Sequence, residues 1–322
     1  MKFLSKATTR DSYGKALLEL GKENKDIVVL DSDLSLSTRT ELFAKAFPER
    51  FFDCGVAEQN MITMAAGLAS CGKIAFASTF AVFATERTYN QIKQSVAYTG
   101  LNVKIVASHS GITVGEDGAS HHMPFDITIM RVLPNMTVIV PADAVETYVA
   151  VKAIANYVGP VYMRLLRPST PIIFDECYAY NSEKHNFEIG KGVPLEDGRD
   201  VTILATGIMV AESLEAVEKL SSEGIDAGVI DIHTIKPLDK ELIVKSAKKT
   251  GAIVTAEEHS IIGGLGGAVA EVITSNVPVP IEMVGINDIF TFSGSPQELM
   301  KKYGLTVDDI VAATKRAVAR KN

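Results

Sequence analysis

The chain has 322 residues, a length that suggests roughly two domains of about 150 residues each. Hydrophobic residues make up 47% and the formal net charge is -7, a composition that excludes a disordered chain and speaks against nucleic acid or an anionic membrane as the main partner. Three scattered cysteines, Cys54, Cys71 and Cys177, lack CxxC spacing, so the expectation is a reducing, cytoplasmic setting without a disulfide scaffold or zinc site. Met1–Ala7 is too short and too polar for a signal peptide, and no apolar run is long enough to span a bilayer.

In chain order, Asp11–Gly21 has the spacing of a helix, with Leu17, Leu18 and Leu20 among its apolar positions and Gly21 as its cap. The short strand Ile27–Leu30 ends in the polar loop Asp31–Ser35, at the strand end where open α/β sheets bind ligands. A helix is predicted to about Phe47, stopped by Pro48. Phe51-Phe52-Asp53 reads as a strand, then a glycine turn, then a helix whose first turn carries Glu58. Because Met61–Leu68 are nearly all small or apolar, that helix is expected to be buried on most of its surface.

Ile74–Ala77 is the next strand, running into Ser78–Phe83, and a long helix is expected from there to Tyr98. Strand Val103–Ala107 opens into a glycine-rich polar loop, His109–His122. Strand Thr137–Val140, helix Ala142–Tyr157 and strand Val161–Leu165 close the first unit. From Pro168 to Gly198 the pattern dissolves into prolines, tyrosines and mixed charges, which reads as a linker. Alternation resumes with strands at Val201–Ala205, Ala227–Asp231, Ala252–Ala256 and Ile281–Val284. Helices are expected at Met209–Ser222, Lys240–Lys249, Gly267–Ser275 and Val307–Arg320. The fold class is therefore α/β, with two doubly wound domains: a mostly parallel sheet in residues 1–167, a linker in 168–198, and a smaller α/β domain in 199–322.

Several residues stand out chemically. Glu58 is either a first-turn acid favoured by the helix dipole or a buried carboxyl kept for a task. Phe80 and Phe83 are either core or a flat wall for an aromatic cofactor ring. The loop His109–His122 combines glycines, two acids and three histidines, suited to close backbone approach and proton handling; a solvated surface loop is the plainer alternative, and no spacing in it favours a metal. Arg10, Arg164 and Arg167 flank strand or helix ends and suit phosphate or carboxylate binding if clustered. Gly263-Gly264-Leu265-Gly266-Gly267 departs from GxGxxG, and reads as a tight turn and packing rather than a nucleotide site.

Taken in order, these segments resemble the C-terminal half of transketolase over essentially the whole chain. Gly55-Val56-Ala57-Glu58-Gln59-Asn60-Met61 looks like the family's Glu motif, and Thr79-Phe80-Ala81-Val82-Phe83 like its cofactor-stacking motif. Val114-Gly115-Glu116-Asp117-Gly118-Ala119-Ser120-His121 is similar to its substrate loop. The resemblance implies thiamine diphosphate as cofactor, with Glu58 on its aminopyrimidine, Phe83 and Phe80 walling that ring, and transfer of a two-carbon unit between phosphosugars. It further implies that His109, Asp117 and His121 face sugar hydroxyls, and that Arg10, Ser37 and Arg167 hold the terminal phosphate with Asp33 nearby. Two features depart from the family. Glu86 stands where many members carry an aromatic residue, and the Gly-Asp-Gly diphosphate and magnesium motif is absent. The expectation is one subunit of a split transketolase, assembled with an N-terminal subunit as a heterotetramer with two copies of each. The rival readings are the beta subunit of a 2-oxoacid dehydrogenase and a non-catalytic subunit that keeps the fold.

Overall fold

The computed structural model describes residues 5–175, 177–180 and 186–321. Residues 1–4, within the N-terminal stretch too polar for a signal peptide, 176 and 181–185 of the expected linker, and 322 lie outside them.

The first sheet has seven strands, in the order Thr234–Lys236, Thr137–Ile139, Val161–Arg164, Val103–Ser108, Ile74–Phe80, Ile27–Asp31 and Phe51–Asp53. All neighbours are parallel except Thr234–Lys236, which reaches in antiparallel from the second half of the chain. The central strands are apolar almost throughout because both their faces are covered, as in Val103–Ser108, where every residue is buried. One face carries the helix Thr9–Glu23, whose Tyr13, Leu17 and Leu20 pack with Phe76, Val106 and Met163. The other carries the helix Glu58–Ser70, whose Met61, Ile62 and Ala65 pack with Ala77 and Ile105.

Register decides what the sheet can build. Asp31 lies opposite both Asp53 and Ser78, Phe80 opposite Ser108, and Ala107 opposite Arg164. In-register parallel strands finish at one edge, so polar residues that follow five separate strands are delivered to the same end of the domain.

The second sheet has five strands, in the order Val193–Glu196, Ala227–Asp231, Val201–Ala205, Ile253–Ser260 and Ile281–Ile286. Only the edge strand Val193–Glu196 is antiparallel. Both halves are thus α/β with mainly parallel mixed sheets, and both apolar clusters run from one into the other.

The structure departs from the sequence expectations in several places; the helices Asp126–Arg131 and Pro296–Lys302 and the strand Thr234–Lys236 were not expected, and four expected stretches differ. The single helix expected to Phe47 is two short ones, Ser35–Thr38 and Glu41–Ala46, because Arg39 between them turns left-handed with φ 71°. The long helix after Phe83 widens into π-helical turns at Phe83–Arg87 and Ile92–Ala97. The helix Glu58–Ser70 leaves one face exposed in this chain, with Gln59, Asn60, Thr63, Gly67 and Ser70 in water. The stretch expected as a linker has structure of its own: Ser169–Pro171 pairs antiparallel with Lys6–Thr8, and Val193–Glu196 edges the second sheet.

Candidate active site

The turn from strand Phe51–Asp53 to the helix starting at Glu58 passes through Gly55 at φ 66°, a backbone state that favours glycine. It sets Glu58 as the first helical residue, 5% exposed. Its Oε1 accepts a hydrogen bond from Nη1 of Arg87 at 3.1 Å. The same guanidinium lies over the ring of Phe83, 4.3 Å from its centroid. Phe83 and Phe80 stand near-parallel, centroids 6.0 Å apart and planes 14° from each other. Phe80 is covered on its far side by the imidazole of His109, stacked at 3.8 Å, while His121 meets Phe83 edge-on at 5.5 Å. The guanidinium of Arg87 thus shows that a planar group can lie on Phe83 within reach of Glu58. Glu86, at the departure from the family pattern, is exposed on the same π-helical segment.

His109 sits at φ 56° just past its strand, with Nδ1 against the hydroxyl of Ser108 at 2.9 Å. Burial, then the positive charges of Arg10, Arg167 and His121, lower its pKa to about 3, so it is neutral at pH 7. The arginines gather beside it. Arg10 donates from Nη1 to the backbone carbonyl of Ser37 at 3.1 Å, and its Nε is buried with no partner among the described residues. Burial and then Arg39 and Arg167 lower its affinity for a proton, with Asp11 as the opposing charge. Arg39 is held by Asp11 at 2.6 Å, and Arg167 donates to the carbonyl of Val114 and lies 3.7 Å from the carboxylates of both Glu116 and Asp117. Three guanidiniums in mutual repulsion, one with a spare buried donor, make a corner whose chemistry suits an anion.

The loop carrying Asp117 and His121 is gripped by the second half of the chain. At its start, Glu258 accepts the backbone N–H of Ile112 and Thr113, both at 2.7 Å. Gly111 is at φ 70°, and a side-chain carbon there would fall 2.2 Å from that carboxylate. At its far end, the buried His122 bonds the hydroxyl of Thr291 at 2.7 Å and the carbonyl of Gly115 at 2.9 Å, and Ser293 donates to the carbonyl of Glu116 at 2.6 Å. His122 is thus a fastener for the loop and not a group presented on it.

Of the residues singled out from sequence, Glu58, Phe80, Phe83, Arg10, Ser37, His109, Asp117, His121 and Arg167 form this one contiguous set. Asp33 follows strand Ile27–Asp31 with φ 61°, exposed, and among the described residues its carboxylate pairs with none of them. Arg164 is not part of the corner. It is buried, paired with Asp126 at 2.8 Å and with the carbonyl of Glu258 at 2.8 Å. Glu257 accepts the N–H groups of Leu265 and Gly266 at 2.7 and 2.8 Å, so the glycine-rich helix start is filled from within. Sequence reasoning missed Arg39 and Arg87. Arg87 had one signal, its i,i+4 spacing from Phe83 on a helical segment.

Two domain models match this chain: the transketolase pyrimidine-binding domain over residues 5–172 and the transketolase C-terminal domain over residues 190–310. The chain belongs to the transketolase family. It is 56% identical to a "Putative transketolase C-terminal section" of Methanocaldococcus jannaschii, covering 94% of this chain and 93% of that one. It is 47% identical to the "6-deoxy-6-sulfo-D-fructose transketolase subunit SqwH" of Clostridium sp. strain MSTE9, over 97% and 95% of the two chains. Among solved structures, one described as "Split gene transketolase, inactive beta4 tetramer" superposes with a TM-score of 0.90 at 55% identity, covering 98% of this chain and 99% of that one. The chain thus corresponds to the C-terminal section of a split transketolase, and its first half is the pyrimidine-binding domain of a thiamine-diphosphate enzyme family. Among the described residues, no helix is long and apolar enough to cross a membrane.

Proposed function

We propose that this chain, joined to a separate N-terminal subunit that holds the diphosphate and magnesium, transfers a two-carbon ketol unit from a ketose phosphate to an aldose phosphate. The observation that carries the substrate assignment is the corner of Arg10, Arg39 and Arg167, with its unpartnered buried Arg10 Nε. A terminal phosphate would relieve the repulsion there and take up the spare donor. The relative named for 6-deoxy-6-sulfo-D-fructose acts, by that name, on a sugar that also ends in an anionic group.

The cofactor reading rests on the donor set. Phe83 offers a ring face, and Glu58 beside it already accepts from a planar nitrogen group. Thiamine diphosphate, when bound, supplies the electron sink for carbon–carbon bond cleavage and formation. Glu58 would hold and exchange a proton at a ring nitrogen of the aminopyrimidine, and Phe83 would fix the plane of that ring. His109, neutral and with Nδ1 tied to Ser108, would turn its Nε2 to a sugar hydroxyl, with His121 and Asp117 on the facing loop. Two further observations support a partner subunit. The helix that begins with Glu58 leaves a face of small and polar residues in water, and Val56 just before it is 73% exposed. The 55%-identical relative is described as inactive in its beta4 form. A heterotetramer with two copies of each subunit would cover that face and complete the pocket.

Arg167→Ala tests the substrate assignment. The phosphate is remote from the reacting carbonyl, so its contacts act as uniform binding energy. The variant, assembled with its partner, should raise KM for a ketose phosphate by roughly ten- to a hundredfold with a smaller change in kcat. KM for the non-phosphorylated donor hydroxypyruvate should hardly move. An equal loss on both donors would make Arg167 structural and remove the phosphosugar reading.

A further inference from the structure

Arg87 meets, with one planar group, both of the contacts assigned above to the cofactor's aminopyrimidine. Its guanidinium lies 4.3 Å from the centroid of Phe83 and donates to Glu58 Oε1 at 3.1 Å. The base of the residue is fixed, because the carboxamide of Gln59 donates to its backbone carbonyl at 2.9 Å. The head is free to leave, since the side chain is 51% exposed while that of Glu58 is 6% exposed. The π-helical turn Phe83–Arg87 brings this about: its widened turn aims residue 87 back across the ring of residue 83 and toward the start of the neighbouring helix.

An aromatic face takes one planar layer at contact distance, so the guanidinium and the aminopyrimidine cannot share it. We propose that Arg87 is a built-in competitor for the aminopyrimidine seat: it covers Phe83 and pairs Glu58 until the ring arrives, and it swings to solvent when the ring binds. The inference rests on the functional reading given above. Two consequences separate it from a plain surface ion pair. Breaking the pair is part of the cost of binding, so it weakens cofactor affinity. While the pair persists, the carboxylate is held by a permanent cation that exchanges no proton, so proton exchange at Glu58 must wait for Arg87 to depart. The residue thereby keeps the buried Glu58 carboxylate from being left unpaired.

The test is titration calorimetry of thiamine diphosphate, with magnesium held constant, into this chain assembled with its N-terminal partner. Arg87→Ala should bind more tightly than the wild type by roughly two- to fivefold, the upper range of an exposed ion pair. Arg87→Lys should lie between the two, because it keeps the charge and loses the planar fork. The gain should shrink when Glu58→Gln is already present, since only the stacking on Phe83 and no ion pair remains to be broken. Arg87→Gln repeats the measurement should the alanine variant fail to assemble. Unchanged or weaker binding in both neutral variants, with normal binding by the wild type, overturns the inference and makes Arg87 a cofactor ligand or a bystander. If the wild-type assembly itself does not bind thiamine diphosphate, the functional reading falls and this inference with it.

Discussion

The two halves of the molecule use the same local construction to opposite ends. Each runs a strand through a glycine-containing turn into a helix, and each sets a buried glutamate beside that junction. In the second half, Glu257 fills the helix start by accepting the N–H groups of Leu265 and Gly266, and Glu258 accepts two more from Ile112 and Thr113 beside Arg164. In the first half, Glu58 meets, among the described residues, a single side-chain partner, the half-exposed Arg87. Strand-end aspartates repeat the contrast in reverse. Asp31 accepts from the N–H of Leu34 and the hydroxyls of Thr38 and Thr40, and so shapes the loop that carries Ser37. Asp231 ends its strand beside another buried acid, Glu146. A carboxylate consumed by fixed donors builds structure, whereas one left with an exchangeable partner is available for chemistry.

Three measurements can break or sharpen that contrast. The largest effect is expected at Glu258. Glu258→Ala orphans two buried N–H groups and strips a counter-charge from the fully buried Arg164, so it should cost roughly 3–5 kcal/mol of stability. Heat or urea unfolding reads this directly, and a melting temperature equal to that of the wild type would show that the carboxylate is not structural. Glu58→Gln comes next, with the opposite signature. The assembled enzyme should lose about a hundredfold or more in kcat, because the amide can hydrogen-bond but cannot exchange a proton. Its melting temperature should shift by no more than about 2 °C, since Arg87 can turn into water. Near wild-type turnover would return Glu58 to the role of a first-turn acid.

The smallest effect concerns the acidic pair. Glu146 accepts from the hydroxyl of Tyr178 and the N–H of Ala142, both at 2.7 Å, while neither oxygen of Asp231 meets a donor among the described residues. Burial, and then for Asp231 the charge of Glu146, pushes both acids up, Glu146 to about 7, with Asp143 adding to the repulsion. An acid with a raised folded-state pKa lends its full stability below the unfolded value, near pH 4, and loses it as pH rises through about 7. The wild type should therefore weaken from pH 5 to pH 8 at this junction of the two halves. Asp231→Asn gives Glu146 a donor, and should lessen that loss by about 1 kcal/mol, a few degrees in Tm. Parallel pH profiles for the two proteins would show the pair to be uncoupled.

Much of the architecture was legible from spacing. Apolar runs of four to six residues with helical stretches between them specify parallel strands covered on both faces, and the strands Ile27–Asp31, Ile74–Phe80, Val103–Ser108, Thr137–Ile139, Val161–Arg164, Val201–Ala205, Ala227–Asp231, Ile253–Ser260 and Ile281–Ile286 lie where that pattern puts them. Short-range marks were legible as well: Gly55 before Glu58, Phe80 and Phe83 at a strand end, and the glycine loop after His109. The expectation of a helix buried on most of its surface failed at Glu58–Ser70 because Gln59, Asn60, Thr63, Gly67 and Ser70 line one face of it, in water. The expected linker hid strands whose partners, Lys6–Thr8 and Ala227–Asp231, are distant in sequence.

By itself, then, the sequence determined the fold class and the placing of the polar residues at strand ends, because each depends on local periodicity and turn chemistry, while Glu58, Phe80 and Phe83 were singled out as site residues by the resemblance to transketolase. Only the tertiary structure decided which of the charged residues remain available. Arg164 and Arg167 are three residues apart, yet one is locked between buried acids and the other opens onto the anion corner. Arg87 lies on Phe83, and Glu258 and Thr291 grip the loop that carries Asp117 and His121 from the other half of the chain. Those outcomes depend on contacts across more than a hundred residues or on a widened helical turn. The reason is physical: a side chain's charge is written in the sequence, but its partner and its burial are set by whatever the fold brings beside it.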